Sequence, residues 1–298
     1  MTLRAKPGSR ADRSRVAVVV GSGGLKCVAA IGAIGVLQRE RVPIDMAVGC
    51  SGGSLCATWL ARGGGDAHEE ADRFVGSLRG MFEHLDYRAI ARALVPGIFS
   101  FDPDFALLDD RKVNAAIEAF ARDETIERMT IPLRIVATDF ATGEKVVLAS
   151  GSLRDAIRAS LAIPLMLRPW AIDGRRLVDG GASDPLPVDV AMREGADVIL
   201  AMGFEEALQP EFRNALQLML HLKSTTVNHL LRSQYAFYSA SHHAEVIPIL
   251  PEFGRRVGLN DIDQIPFLIR QGELAAEREV PYLRRLLGLD APAPAQSA

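Results

Sequence analysis

Cysteine is scarce: Cys27, Cys50 and Cys56 are the three in 298 residues. So few build no disulfide framework, and their spacing matches no zinc-ligand pattern, so a reducing, cytoplasmic setting is the expectation. Aromatic residues are also sparse at 6%, whereas glycine numbers 26. That balance disfavours an aromatic-rich β-sandwich and suits tight βα turns and close helix–sheet packing. No charge of one sign dominates, since 34 Lys and Arg oppose 37 Asp and Glu for a formal net charge of −3. The whole molecule therefore has no attraction for nucleic acid, and none is expected as a partner. A long hydrophobic run is missing too. The most apolar stretch, residues 16–37, is interrupted by five glycines and by Lys26, and a lysine at a bilayer centre costs about 2.5–3.5 kcal/mol. Its first five apolar residues make a poor signal-peptide core, so neither a transmembrane nor a targeting segment is expected. What is present is a 48% hydrophobic chain, which excludes disordered and low-complexity classes.

Val16–Val20 is purely apolar, rich in β-branched residues and bounded by glycine, as in a buried parallel strand. A loop at 21–24, a helix over 27–41, a strand at 46–48, a second glycine turn at 49–53 and a small-residue helix over 54–62 follow. Strand, glycine turn and helix, repeated, indicate an α/β layer fold. Residues 66–108 read as irregular helix with apolar side chains from Met81 to Leu108, either an acyl-chain site or lid or a plain helical cap. Further helices are expected at 113–121, 153–161 and 188–194, and strands at 133–138, 145–149, 176–179 and 198–202. From Phe212 to Tyr238 apolar residues recur at helical spacing over about seven turns, and most of that stripe is expected to pack on the sheet. A strand at 246–250 and helices at 264–277 and 280–287 close the chain. The expected organisation is a basic unstructured tail over 1–14, one catalytic domain over 15–288 whose C-terminal helices begin near 210, and an unstructured tail over 289–298. The N-terminal basic residues, Arg4 to Arg15, have two readings: a solvated tail, or a weak peripheral tether to anionic membrane.

Gly49-Cys50-Ser51-Gly52-Gly53 is a G-x-S-x-G between a strand and a helix. Such a turn strains the backbone, and its glycines remove side chains that would clash. Ser51 would project at a helix N-terminus, where N–H groups and the dipole favour developing negative charge. A second glycine loop, Gly21-Ser22-Gly23-Gly24-Leu25-Lys26, also joins a strand to a helix. A dinucleotide fingerprint needs glycine where Lys26 stands, and a Walker A loop needs a longer run ending in Lys-Ser/Thr. An oxyanion hole of consecutive backbone N–H groups beside a serine elbow needs neither. A serine nucleophile also needs a base. None of the six histidines sits in a glycine-bounded turn after a strand, and too few strands precede the elbow for an α/β-hydrolase. Asp179, in Leu177-Val178-Asp179-Gly180-Gly181, ends an apolar strand beside paired glycines and is the better base.

This ordered set resembles the patatin-like phospholipase family: a Gly-rich loop, a G-x-S-x-G about 28 residues on and a distant D-G-G. Ile31-Gly32-Ala33-Ile34, Val42-Pro43-Ile44-Asp45, Ala137-Thr138-Asp139, Ala159–Pro164 and Asp179–Pro187 extend the likeness over about residues 15–205. The resemblance implies a three-layer α/β/α fold with a mainly parallel sheet and a Ser–Asp dyad without histidine. On this chain Ser51 would be the nucleophile, Asp179 the base, and Gly23, Gly24, Leu25 and Lys26 the oxyanion hole. Gly49, Gly52, Gly53, Gly180 and Gly181 would support the motifs. It implies hydrolysis of acyl esters of phospholipids or related lipids, with no metal and no organic cofactor. Ser22 and Cys27 stand where the family usually has glycine, which bears on the loop's backbone freedom. A catalytically silent lipid-binding or regulatory protein, and a short-chain esterase with no membrane role, remain as alternatives; head group, acyl position and oligomeric state stay open.

Overall fold

The computed structural model describes residues 13–78, 86, 104–205, 208, 211–212, 215–240 and 244–290. Eight strands form one mixed, mostly parallel sheet: β1 (Val16–Val20), β2 (Met46–Cys50), β3 (Leu133–Asp139), β4 (Lys145–Leu148), β5 (Trp170–Ile172), β6 (Arg175–Asp179), β7 (Val198–Met202) and β8 (Glu245–Pro248). Their order is β5-β6-β3-β2-β1-β7-β8, with β4 also paired to β3. The neighbours β3-β2-β1-β7-β8 run parallel, while β4 and β6 meet β3 antiparallel, as β5 meets β6.

Alternation along β1 explains the layers, because successive side chains of a strand point to opposite faces. Val16, Val18 and Val20 enter a core shared with α1 (Ala29–Arg39), α2 (Gly52–Ala61) and α8 (Ile265–Leu287). Ala17 and Val19 face the other way, toward α6 (Val188–Arg193) and α7 (Ala215–Ala240), against Val188, Val190, Leu231 and Tyr238. Helices therefore cover both faces, and all five β1 residues are buried. Among the described residues the remaining α-helices are α3 (Ala67–Leu78), α4 (Arg111–Ala121) and α5 (Leu153–Ser160).

Helix α8 lies tightly across α1 because each helix offers a glycine at the crossing. A Cβ on Gly32 would stand 2.1 Å from Ile269 O, and one on Gly272 1.7 Å from Ala29 O. The sequence predicts two helices here, broken near Pro281; the structure has one, with Pro281 inside it. Packing on both sides of the proline, including fully buried Leu283, compensates for the hydrogen bond that proline cannot donate.

Other expectations are adjusted. A 3-10 turn, Gly24–Val28, precedes α1, and β5 was not expected at all. The stripe from Phe212 to Tyr238 is only partly covered: Val227, Leu231 and Tyr238 are buried, but Phe212 and Met219 are exposed. Arg13 and Arg15 belong to the body of the fold. Arg13 pairs with Asp45, and Arg15 reaches the Glu194 carbonyl at 2.7 Å. Residues 1–12 and 291–298 of the expected tails, and most of the Met81–Leu108 block, lie outside the described residues. Among the described residues no helix is long and apolar enough to cross a membrane.

Candidate active site

Three strands bring Ser51 and Asp179 together. On β3, Val136 pairs with Cys50 at the end of β2, and the next residue, Ala137, pairs with Asp179 at the end of β6. Strand β4 occupies residues 135–138 of β3 from the opposite edge, so β2 and β6 share one edge and meet end to end. Their directions are opposed, and the residue leaving each strand is delivered to one point. There Ser51 Oγ donates to Asp179 Oδ2 at 2.5 Å, with both residues buried.

Ser51 has φ 55° and ψ −132°, a conformation costing a non-glycine residue about 1–3 kcal/mol that its surroundings must impose. Its N–H donates to Ser160 Oγ at 2.8 Å, and Ser160 Oγ donates in turn to Val136 O at 2.7 Å. Its carbonyl accepts from Ser54 N at 2.9 Å and Ser54 Oγ at 2.7 Å. The flanking glycines are set by close approach. A Cβ on Gly53 would meet Val20 O at 2.3 Å, one on Gly52 the Gly24 carbonyl at 2.6 Å, and one on Gly49 the backbone of Ser54 at 2.5 Å. The two glycine loops are thus in contact.

Asp179 is fixed at both ends. Its Oδ1 accepts from Gly181 N at 2.7 Å, its main-chain N–H donates to Ala162 O at 2.9 Å, and Thr138 Oγ1 donates to its carbonyl at 3.0 Å. Gly180 lies against Val136 O and Cys50 Sγ, and Gly181 against Ser22. Asp184 braces the loop further. Lys145 Nζ donates to Asp184 Oδ2 at 2.8 Å and to Asp189 Oδ1 at 2.5 Å, and Gln234 Nε2 donates to Asp184 Oδ1 at 2.5 Å. Burial raises the Asp184 carboxyl above the ordinary carboxylate range even with Lys145 beside it. Burial works against the Lys145 ammonium, but its bonds to Asp184 and Asp189 leave it raised.

In the other loop, Gly24 takes φ 57°, which glycine adopts freely. Ser22 and Cys27 do not fall in the positive-φ region, so neither strains the loop. Cys27 Sγ donates to Gly21 O at 3.3 Å and packs on Gly52. The N–H groups of Gly21 and Ser22 are used by Met202 O and Pro185 O, at 2.8 Å each, and that of Lys26 by Gly23 O at 3.2 Å. Among the described residues, the N–H groups of Gly23, Gly24 and Leu25 donate to no main-chain carbonyl. Lys26 Nζ donates to the Glu205 carbonyl. The Lys26 N–H thus closes the turn.

Cys50 is buried and donates to Asp184 O at 3.4 Å; burial first, then the nearby Asp179 charge, pushes its thiol well above the ordinary range. It is held as a thiol. Ser160 and Lys145 are the supporting residues that sequence reasoning missed. Ser160 lies within Ala159–Pro164, but a serine at a helix end carries no signal of its bond partner. Among the described residues no group of three or more His, Cys, Asp or Glu side chains could hold a metal ion.

The model of the patatin-like phospholipases matches residues 18–192, from the first strand to the helix after the Asp179 loop. An uncharacterized NTE family protein of Mycobacterium tuberculosis is 33% identical over 227 residues, covering 76% of this chain and 58% of that protein. Patatin-like phospholipase domain-containing protein 6 of Homo sapiens is 28% identical over 191 residues, 63% of this chain and 13% of its own length. Lysophospholipase NTE1 of Mycosarcoma maydis is 29% identical over 189 residues, 63% of this chain and 9% of its own. This chain therefore spans a little over half of the first relative and a small part of the others. A crystal structure of VipD from Legionella pneumophila superposes with a TM-score of 0.45 at 13% identity, covering 92% of this chain and 69% of that one. With more than half of its residues inside the family match, and that match spanning both glycine loops and the Asp179 turn, the chain belongs to the patatin-like phospholipase family.

Proposed function

We propose that the protein is a serine hydrolase that cleaves acyl esters of phospholipids or related lipids through a Ser51–Asp179 dyad. One observation carries the reading: a buried serine in a strained strand–helix elbow donates its hydroxyl proton to a buried carboxylate at 2.5 Å. The family supports the lipid ester as substrate.

Asp179 Oδ2 takes the Ser51 proton as Oγ attacks the ester carbonyl carbon. The carbonyl oxygen becomes an alkoxide, and the N–H groups of Gly23, Gly24 and Leu25 stabilise it; one such donor is worth about 2.7–4 kcal/mol in other hydrolases. Collapse of the tetrahedral intermediate breaks the C–O bond, and Asp179 returns the proton to the leaving alcohol or lysolipid. Asp179 then takes a proton from water, the resulting hydroxide attacks the acyl-serine, and Ser51 Oγ leaves with that proton as the fatty acid is released. Gly181 N–H keeps Oδ1 in place, so Oδ2 faces serine throughout.

The test is labelling by a fluorophosphonate probe, paired with release of fatty acid from lysophospholipid. Wild type is expected to label, Ser51→Ala not at all, and Asp179→Asn weakly. A folded wild type that neither labels nor releases fatty acid would refute the reading and favour a lipid-binding protein without turnover.

A further inference from the structure

A cavity of about 300 Å³ lies beside the Gly-rich loop, away from any residue assigned above except Lys26. Three cations line it: Lys26, Arg232 from α7, and Arg255 from the segment between β8 and α8. Against them the described lining holds one carboxylate, Glu205, so three positive groups less one negative leave a net +2. Glu205 is already used, since Arg232 Nε and Nη2 grip its two oxygens at 2.7 Å each, and that grip lowers its carboxyl below the usual range. Arg255 is held differently. Its guanidinium stacks 3.5 Å above the Phe267 ring, and among the described residues no carboxylate lies within ion-pair distance of it. Phe253, Val257 and half-exposed Leu208 supply apolar wall.

A preoriented arginine fork without a carboxylate partner, a buried lysine and an apolar wall suit an anion attached to a carbon skeleton, with phosphate oxygens the best match to the fork. The location adds meaning. Lys26 closes the same turn whose first residues, Gly24 and Leu25, donate to no main-chain carbonyl among the described residues, and Gly24 O touches Gly52 of the elbow. An occupant would sit on the flank of the catalytic loop. We propose that this cavity is a phosphate-binding subsite, taking the phosphate of a lipid head group or a free phosphate. The head-group form rests on the hydrolase reading above; anion binding itself does not.

Two assays on wild type, Arg255→Glu and Arg255→Lys decide the matter. The first compares kcat/KM for a lysophospholipid and for the uncharged monoacylglycerol with the same acyl chain. A head-group subsite predicts that Arg255→Glu loses about tenfold on the phosphate-bearing substrate, mainly through KM, and less than about twofold on the uncharged one, with Arg255→Lys between. The second titrates inorganic phosphate and glycerol 3-phosphate calorimetrically into Ser51→Ala with and without Arg255→Glu. Saturable binding of inorganic phosphate, lost with Arg255→Glu and without a substrate-selective loss, assigns the site to free phosphate. No selective loss, whether both lipids lose equally or neither does, together with no phosphate binding overturns the proposal. If wild type cleaves neither lipid and takes no fluorophosphonate label, the hydrolase reading fails, and the titration alone decides the cavity.

Discussion

Ser160→Ala tests whether the elbow is held by its surroundings or holds itself. The Ser160 hydroxyl is fully buried and makes two bonds, accepting from Ser51 N at 2.8 Å and donating to Val136 O at 2.7 Å. Alanine keeps the Cβ and removes the oxygen, so the cavity is small and the loss is polar. It strands a buried N–H and takes a donor from a buried carbonyl, at about 1–3 kcal/mol for each group left unsatisfied. Partial relaxation brings the expected loss to about 2–4 kcal/mol, measurable in urea unfolding. The same bond opposes relaxation of the positive φ at Ser51, where about 1–3 kcal/mol of strain is stored. If the pin is lost, the productive elbow becomes the minor state, and the fluorophosphonate labelling rate falls about 10–100-fold. Because the bond goes to the Ser51 main chain, the stability loss should persist in a Ser51→Ala background. A loss below about 1 kcal/mol with labelling unchanged would refute the reasoning and show that water or a neighbouring group satisfies the elbow.

Asp110→Ala should cost about 3–5 kcal/mol in urea unfolding, because it leaves Arg158, 1% exposed, without the carboxylate 2.9 Å away. The double change Asp110→Leu with Arg158→Met should recover most of that loss. Gly272→Ala places a methyl 1.7 Å from Ala29 O, and forcing α1 and α8 apart should destabilise by about 3 kcal/mol or more, read as a shifted denaturation midpoint. Lys145 links pH to stability. Its ammonium is raised above its ordinary 10.5 in the folded chain, so its contribution is fully present below that value and is lost as pH rises through the higher folded one. Unfolding free energies measured from neutral pH upward should fall more steeply above about pH 10.5 in wild type than in Lys145→Met; parallel curves would remove Lys145 from the account.

What could be read from sequence was whatever has a short period or a local motif. Val16–Val20 announces a strand buried on both faces because all five residues are apolar, and it is one. The two glycine loops were legible because glycine marks backbone that admits nothing else, as the contacts of Gly53 and Gly21 bear out. Strand β5 escaped because Trp170–Ile172 is three residues long, too short for alternation to show. The single helix through Pro281 escaped because its continuity is decided by packing against α1, a contact between residues more than two hundred positions apart. Ser160, Lys145 and Arg255 escaped for the same reason: each matters through a partner that the chain supplies from elsewhere.

The sheet's polarity explains how Ser51 meets Asp179 with no side chain between them. In a purely parallel sheet every strand leaves at the same end, so the residue after one strand meets the loops of its neighbours and not the end of a strand aimed at it. Here β6 runs against β3 while β2 runs with it, and both occupy the same edge. Their ends are separated only by the step from Val136 to Ala137 on β3, and the gap between the two side chains closes to 2.5 Å. No imidazole fits between Ser51 Oγ and Asp179 Oδ2 at that distance. The shortest carboxylate side chain suffices, held by Gly181 N on one oxygen and by Ser51 on the other. The direct contact of Ser51 with Asp179 is thus a consequence of one reversed strand, and the glycines at 180 and 181 are what let that strand end so close to the elbow.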